Sequence, residues 1–256
     1  MLLDRPGAKL YYEVRGTGTT TLVFVCGGPT DADVYSGIAA VMTNRYRVVT
    51  YDPRGNSRSV MDDPNLDQDM DVHGDDLAAL IEHVGGASHV FGNSGGGQIA
   101  MNCAARHPEA IRTLIAHEPP CIRLLPDADE VLAGMGRAQD LGQTDVMAGF
   151  TEFMKLTGID MAPPPGRKQE TSDRMRANLT YFVRHGLRQI ASYRPELDRL
   201  KTIVVGVGTE SAGQLAHRTG TALAAALGRP ATPFPGGHGG YGRYIPEFAA
   251  AIAAVL

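Results

Sequence analysis

Short apolar runs and longer amphipathic runs alternate along most of this chain. Residues 9–14 (KLYYEV) switch between polar and apolar, the period of a half-buried strand. Residues 21–25 are apolar and β-branched, and end at Cys26-Gly27-Gly28-Pro29. Residues 46–51 (YRVVTY) predict a third strand, ending at Asp52-Pro53-Arg54-Gly55. Leu77, Leu80, Ile81 and Val84 recur at helical spacing, so 72–85 predicts an amphipathic helix. Residues 88–91 (SHVF) read as the end of a buried strand, and 95–107 (GGGQIAMNCAARH) as the helix after it, closed by Pro108. Residues 111–116 and 202–207 predict further strands, 214–227 an alanine-rich helix, and 231–234 a short strand. Pro246 opens the last helix, where its missing N–H costs nothing.

Strands and helices in alternation predict an α/β fold, with a mostly parallel central sheet covered by helices on both faces. The stretch from 121 to 198 breaks that rhythm. It has no strand pattern, carries Met135, Met147, Met154 and Met175 in helical segments, and is interrupted by Pro163-Pro164-Pro165-Gly166. It reads as a helical lid (121–198) inserted into a core made of 1–120 and 199–256. A chain of 256 residues is long enough for that arrangement.

Charge and cysteines narrow the function classes. The 24 basic and 28 acidic residues leave a net charge of −4, and no Lys/Arg-rich run points to nucleic acid or a membrane surface. The N-terminus lacks an apolar run of signal-peptide length, and the alanine-rich C-terminus is too short to span a bilayer. Cys26, Cys103 and Cys121 fit neither a disulfide framework nor a metal spacing. The expected location is the cytoplasm and the expected partner a small-molecule substrate. A homodimer stays open.

The candidate chemistry centres on Gly92-Asn93-Ser94-Gly95-Gly96, a G-x-S-x-G pattern between a strand and a helix. That setting suits a strained turn that exposes a nucleophilic serine. The bland alternative is a plain Gly/Ser turn. A serine hydroxyl is a weak nucleophile and needs a general base, most often a histidine oriented by a carboxylate. Of the eight histidines, His238 stands out, in the glycine-rich loop PGGHGGY after the last strand. The others fit plainer roles. His73 and His83 read as polar-face residues of a helix. His107 sits at a helix C-terminus, where a cation is favoured. His117 adjoins a candidate acid but is expected to point to the other side of its strand.

With these segments together, the chain resembles the α/β-hydrolase superfamily of serine hydrolases over nearly its whole length. Cys26-Gly27-Gly28-Pro29 is similar to the family's His-Gly-Gly-Pro loop, and Asp52 to Ser59 to its D-x-R-G-x-G-x-S segment. Cys26 stands where the family has histidine, and Ser57 where it has glycine. The resemblance implies an oxyanion hole from the Gly28 and Gly95 amides, with Gly27 the neighbouring alternative, and no cofactor or metal. The family's common acid position, a G-x-x-D pattern, here reads Gly208-Thr209-Glu210-Ser211, with Ser211 in the carboxylate's place. A second position follows the 111–116 strand, and there Glu118 precedes two prolines that stiffen the segment. His-Glu-Pro-Pro is similar to the His-Glu-Leu-Pro segment of the zearalenone-lactone hydrolase group, whose length and lid position are comparable. Glu118 is the favoured acid and Glu210 the fallback.

Other signals carry less. Asp67, Asp69 and Asp71 alternate, but an EF-hand loop from Asp67 would need glycine at 72 and glutamate at 78, where the chain has Val72 and Ala78. Gly206-Val207-Gly208 lacks the third glycine of a dinucleotide fingerprint. Phe150, Phe153, Met154, Tyr181 and Phe182 are candidates for an apolar pocket under the lid. The expected activity is ester or lactone hydrolysis through Ser94, His238 and Glu118. A C–C bond hydrolase stays open. So does an aminopeptidase-type hydrolase, with Asp127, Asp129 or Glu130 binding the amine. The third alternative is a ligand receptor on the same scaffold with little turnover.

Overall fold

The computed structural model describes residues 1–159 and 173–256, so the Pro163–Pro165 interruption lies outside the described residues. Among the described residues, nine strands form one sheet. They are β1 (Leu2–Arg5), β2 (Ala8–Arg15), β3 (Thr21–Val25), β4 (Arg47–Tyr51), β5 (Val60–Met61), β6 (Ser88–Asn93), β7 (Ile111–His117), β8 (Ile203–Gly208) and β9 (Thr232–Phe234). Their order is β1-β2-β4-β3-β6-β7-β8-β9, with β5 beside β2. Every pairing from β4 through β9 is parallel, whereas β1, β4 and β5 run antiparallel to β2. The sequence pattern does not anticipate β1 or β5. Both are short and lie at the edge, with several exposed positions, so neither carries a buried run.

The central strands bury both faces, as parallel strands between helix layers must. Leu22 and Phe24 of β3 enter a cluster with Tyr35, Ile38 and Phe248, on the side of α1 (Ser36–Met42) and α10 (Ile245–Val255). Val23 and Val25 enter the other cluster, with Leu77, Leu80 and Ile99, on the side of α2 (Met70–His83) and α3 (Gly95–Arg106). Phe24, Phe91 and Phe248 are fully buried. Each such ring contributes roughly 2–3 kcal/mol by leaving water.

Helix α2 departs from its reading in one respect. His73 is 2% exposed, not a polar-face residue. Met70, His73 and Leu77 carry the buried stripe one turn further toward the N-terminus, and His73 lies on it. His83 is exposed and bonds Tyr12. The acids that resembled a calcium loop serve the helix instead. Asp69 Oδ1 caps it, and Asp71 and Asp75 pair with Arg106.

Between β7 and β8 lie α4 (Ala128–Thr144), α5 (Val146–Thr157), α6 (Asp173–His185) and α7 (Leu187–Ser192), with no strand among the described residues. Helix α4 packs on the other three. Met135 is buried, Met154 half-buried, and Met147 and Met175 exposed, so of these four Met135 alone fills the core. After β8 come α8 (Leu215–Ala226) and the short α9 (Gly240–Arg243). No helix among the described residues is long and apolar enough to cross a membrane.

Candidate active site

Ser94 occupies the turn between β6 and α3, at φ 56° and ψ −129°. Left-handed φ is costly for a residue with a side chain. It is held by a hydrogen bond from the Ser94 N–H to the His117 carbonyl (3.0 Å). The flanking glycines are required by contact. A Cβ on Gly92 would stand 2.5 Å from the Gly96 carbonyl oxygen, and one on Gly27 would stand 2.6 Å from the Gly95 nitrogen. Around this turn Ser94 alone is not fully buried.

The candidate acid follows β7 and the candidate base follows β9, with β8 between them. Asn93 pairs with His117 in the parallel β6–β7 register, so Ser94 and Glu118 leave adjacent strands at the same level. Glu118 is fully buried and also has positive φ, 48°. Its N–H donates to the Gly206 carbonyl (2.9 Å). Its carboxylate divides its partners. Oε2 meets His238 Nδ1 at 2.8 Å. Oε1 accepts from the Gly208 N–H (2.9 Å) and from the Ser211 hydroxyl. Burial opposes ionisation, but the hydrogen bond and charge of His238 outweigh it, with a smaller contribution from the Ser211 bond, and hold the carboxyl at a pKa of about 2. Asn93, with its amide nitrogen turned toward the base loop, donates to the His238 carbonyl (3.2 Å) and to His117 Nδ1 (2.8 Å). With Nδ1 committed to Glu118, Nε2 is the ring nitrogen left to handle a proton.

Glu210 is placed elsewhere. It is exposed, and the Tyr244 hydroxyl donates to it (2.5 Å). His117 is buried among Phe91, Phe234 and Phe248. Its ring centroid is 6.5 Å from that of His238. Burial pulls its pKa down to about 4, so it is neutral near pH 7.

Gly28 and Gly95 face one another: a Cβ on Gly95 would lie 3.6 Å from the Gly28 nitrogen. Gly95 opens α3, where first-turn amides have no acceptor inside the helix. Gly28 has φ 60°, a conformation suited to glycine. The Asp52–Ser59 segment braces this loop. Asn56 Nδ2 donates to the Thr30 carbonyl (2.7 Å) and the Gly28 carbonyl (3.3 Å). Asp52 accepts from the Ala32 N–H (2.9 Å) and from Arg58. Ser57 has φ 48°, a left-handed conformation that glycine adopts more readily than serine. Its N–H donates to Asn178 of α6 (2.7 Å), and its hydroxyl to Asp31 (2.6 Å). Cys26 is buried, and burial pushes its thiol pKa up, so it stays protonated.

The apolar candidates separate. Phe182 approaches the site: a Cβ on Gly28 would stand 3.9 Å from its ring. Phe153 packs edge-on against Phe182 (5.2 Å) and stacks with Phe150 (6.1 Å). Met154 is half-buried on the same helix. Tyr181 turns away, toward Gly55 and Met61, and its hydroxyl donates to the Leu66 carbonyl (3.3 Å). Ile190 of α7 was not singled out from the sequence, yet it lies 3.7 Å from a Cβ built on Gly95. Asn93 and Ser211 were missed as site residues as well. Ser211 had a signal, since it stands where a G-x-x-D carboxylate would.

Residues 20–153 match the protein family described as the alpha/beta hydrolase fold. The chain belongs to this family and is an enzyme of that class. It is 32% identical over 263 aligned positions to the uncharacterized hydrolase YraK of Bacillus subtilis (strain 168), covering 99% of this chain and 94% of the relative. Among solved structures it resembles an N-acyl homoserine lactone degrading enzyme, with TM-score 0.76, 19% identity and all of both chains covered. It also resembles a carboxylesterase of the ammonia-oxidizing thaumarchaeon Nitrososphaera gargenis, with TM-score 0.72, 17% identity, and 100% and 98% of the chains covered. At those identities the two structures bear on the fold.

Proposed function

We propose that this enzyme cleaves a carboxylic ester or lactone through an acyl-enzyme formed on Ser94. The observation that carries the reading is the 2.8 Å bond between His238 Nδ1 and the buried Glu118 carboxylate, which leaves its strand level with Ser94 in its left-handed turn on the adjacent strand. Ser94 Oγ attacks the carbonyl carbon and passes its proton to His238 Nε2. The carbonyl electron pair moves onto the oxygen, which the Gly28 and Gly95 amides stabilise. Collapse breaks the ester C–O bond, and His238 returns the proton to the leaving oxygen. Water then gives a proton to His238 and attacks the acyl carbon, and Ser94 leaves with that proton. Glu118 stays ionised and stabilises the imidazolium. The protons and electron pairs move among these side chains, the substrate and water, so the sequence calls for no cofactor.

In this reading α4–α7 form the lid, with Phe182 and Ile190 closing over the oxyanion glycines. Apolar groups at that point favour a hydrophobic acyl or lactone ring. The lactone-degrading structural neighbour and the His-Glu-Pro-Pro resemblance to the zearalenone-lactone hydrolases support a lactone. An amine-binding lid is less well served, because Asp127 is already paired with Arg218 at 2.6 Å and Asp129 and Glu130 are exposed to solvent.

The test is hydrolysis of p-nitrophenyl acetate, p-nitrophenyl octanoate and an N-acyl homoserine lactone by wild type and by Ser94→Ala. The expected loss in the variant is at least about 10³-fold in kcat, with an unchanged melting temperature. Activity retained in Ser94→Ala would overturn the mechanism.

A further inference from the structure

Ser211 is fully buried three residues beyond the end of β8, and its hydroxyl reaches across to a carboxylate 93 residues away in sequence. We propose that Ser211 is a positioning residue, holding one oxygen of Glu118 so that the other meets His238. It does so from the place where relatives with the common acid position carry the carboxylate itself. The proposal rests on the reading of Ser94, His238 and Glu118 given above.

The donor inventory supports it. A hydroxyl has one proton. Ser211 Oγ lies near two acceptors, Glu118 Oε1 and the Gly208 carbonyl, the latter at 3.1 Å. An ionised oxygen is the stronger acceptor, so the proton goes to Glu118. Oε1 then takes two donors, the Ser211 hydroxyl and the Gly208 N–H at 2.9 Å, while Oε2 takes His238. This division fixes the rotation of the carboxylate about its last bond. Ser211 also underlies the base loop, since a Cβ on Gly237 would start 3.9 Å from the Ser211 Cβ. One side chain therefore bonds the acid and lies beside the segment that carries the base.

Removing the hydroxyl leaves Oε1 with a single donor. The carboxylate becomes more basic, and the imidazolium beside it holds its proton more tightly. The acid limb of the pH–rate profile then moves to higher pH. The experiment measures p-nitrophenyl acetate hydrolysis against pH, and the low-field proton resonance of His238 Nδ1, in wild type, Ser211→Ala and Ser211→Thr. Ser211→Ala is expected to lower kcat about 10-fold with KM within about twofold, and to raise the acid limb by roughly half a unit. Its low-field resonance should move, and Ser211→Thr should restore all three. If Ser211→Ala does not fold, Ser211→Cys, a weak donor of similar size, is expected to shift the acid limb the same way.

An unshifted acid limb with an unmoved resonance would overturn the proposal. The Glu118→Ala/Ser211→Asp exchange is expected to recover at least about 10-fold over Glu118→Ala alone. No recovery would overturn the shared position. A wild type inactive on the acetate and octanoate esters and on the lactone, with a resonance that still responds to Ser211→Ala, would remove the hydrolytic reading and leave the positioning role standing.

Discussion

Ser57, Ser94 and Glu118 are the three non-glycine residues at positive φ among the described residues, and all three stand at or beside the site. Each conformation costs about 1–2 kcal/mol, and persists only where surrounding bonds hold it. For Ser57 those bonds come from its own N–H and hydroxyl, to Asn178 and Asp31. Ser57→Ala keeps the strain and loses the hydroxyl bonds, so it should destabilise by about 1–2 kcal/mol. Ser57→Gly loses the same bonds but relieves the strain, and should fall between the two. Urea unfolding midpoints of the three proteins check the order. Equal stability of the Ala and Gly variants would show that strain at this position is negligible.

At the scale of elements, the turn at Ser94 depends on close approach of β6, α3 and the loop after β3. Gly92 has ordinary φ, so contact alone excludes a side chain there, with Gly96 atoms at 2.5 and 2.7 Å from its would-be Cβ. Gly92→Ala should therefore destabilise by about 3 kcal/mol and displace Ser94, abolishing activity. Gly86 is the contrast. Nothing lies within 4 Å of a Cβ there, and only its φ of 90° resists alanine. Gly86→Ala should cost about 1 kcal/mol and leave activity intact. Denaturation curves and ester assays on the pair separate contact from backbone strain.

At the scale of the molecule, two buried neutral histidines set the acid stability. Burial lowers His73 and His117 to a pKa of about 4, against an ordinary value of 6.5. Above pH 6.5 neither form of the chain protonates them, and they carry no penalty. Below it the unfolded chain takes up two protons that the folded chain refuses, so stability falls between about pH 6.5 and 4. The loss is on the order of 3 kcal/mol for each histidine. Glu118 is lowered from 4.5 to about 2, so its contribution is present above pH 4.5 and is lost from there toward pH 2. Urea midpoints should stay level from pH 8 to 7 and then drop steadily to pH 4.5. His73→Gln should flatten that drop, and a wild-type curve level from pH 7 to 5 would contradict it.

The sequence by itself determined the alternating architecture, the strand at Thr21–Val25, the helix that follows Ser94, and the positions of the candidate serine and histidine. Those features are local. Two-residue and 3.6-residue periods record burial along one element, and a glycine-flanked serine records a turn. Tertiary structure decided the rest. It put Glu118 and not Glu210 against His238, through the register of β6, β7 and β8. It turned Tyr181 toward Gly55, brought Ile190 to Gly95, and gave Ser211 its carboxylate partner. Each of these pairs residues far apart in sequence. Which charge meets which is set by strand order and packing angle, and no local period records either.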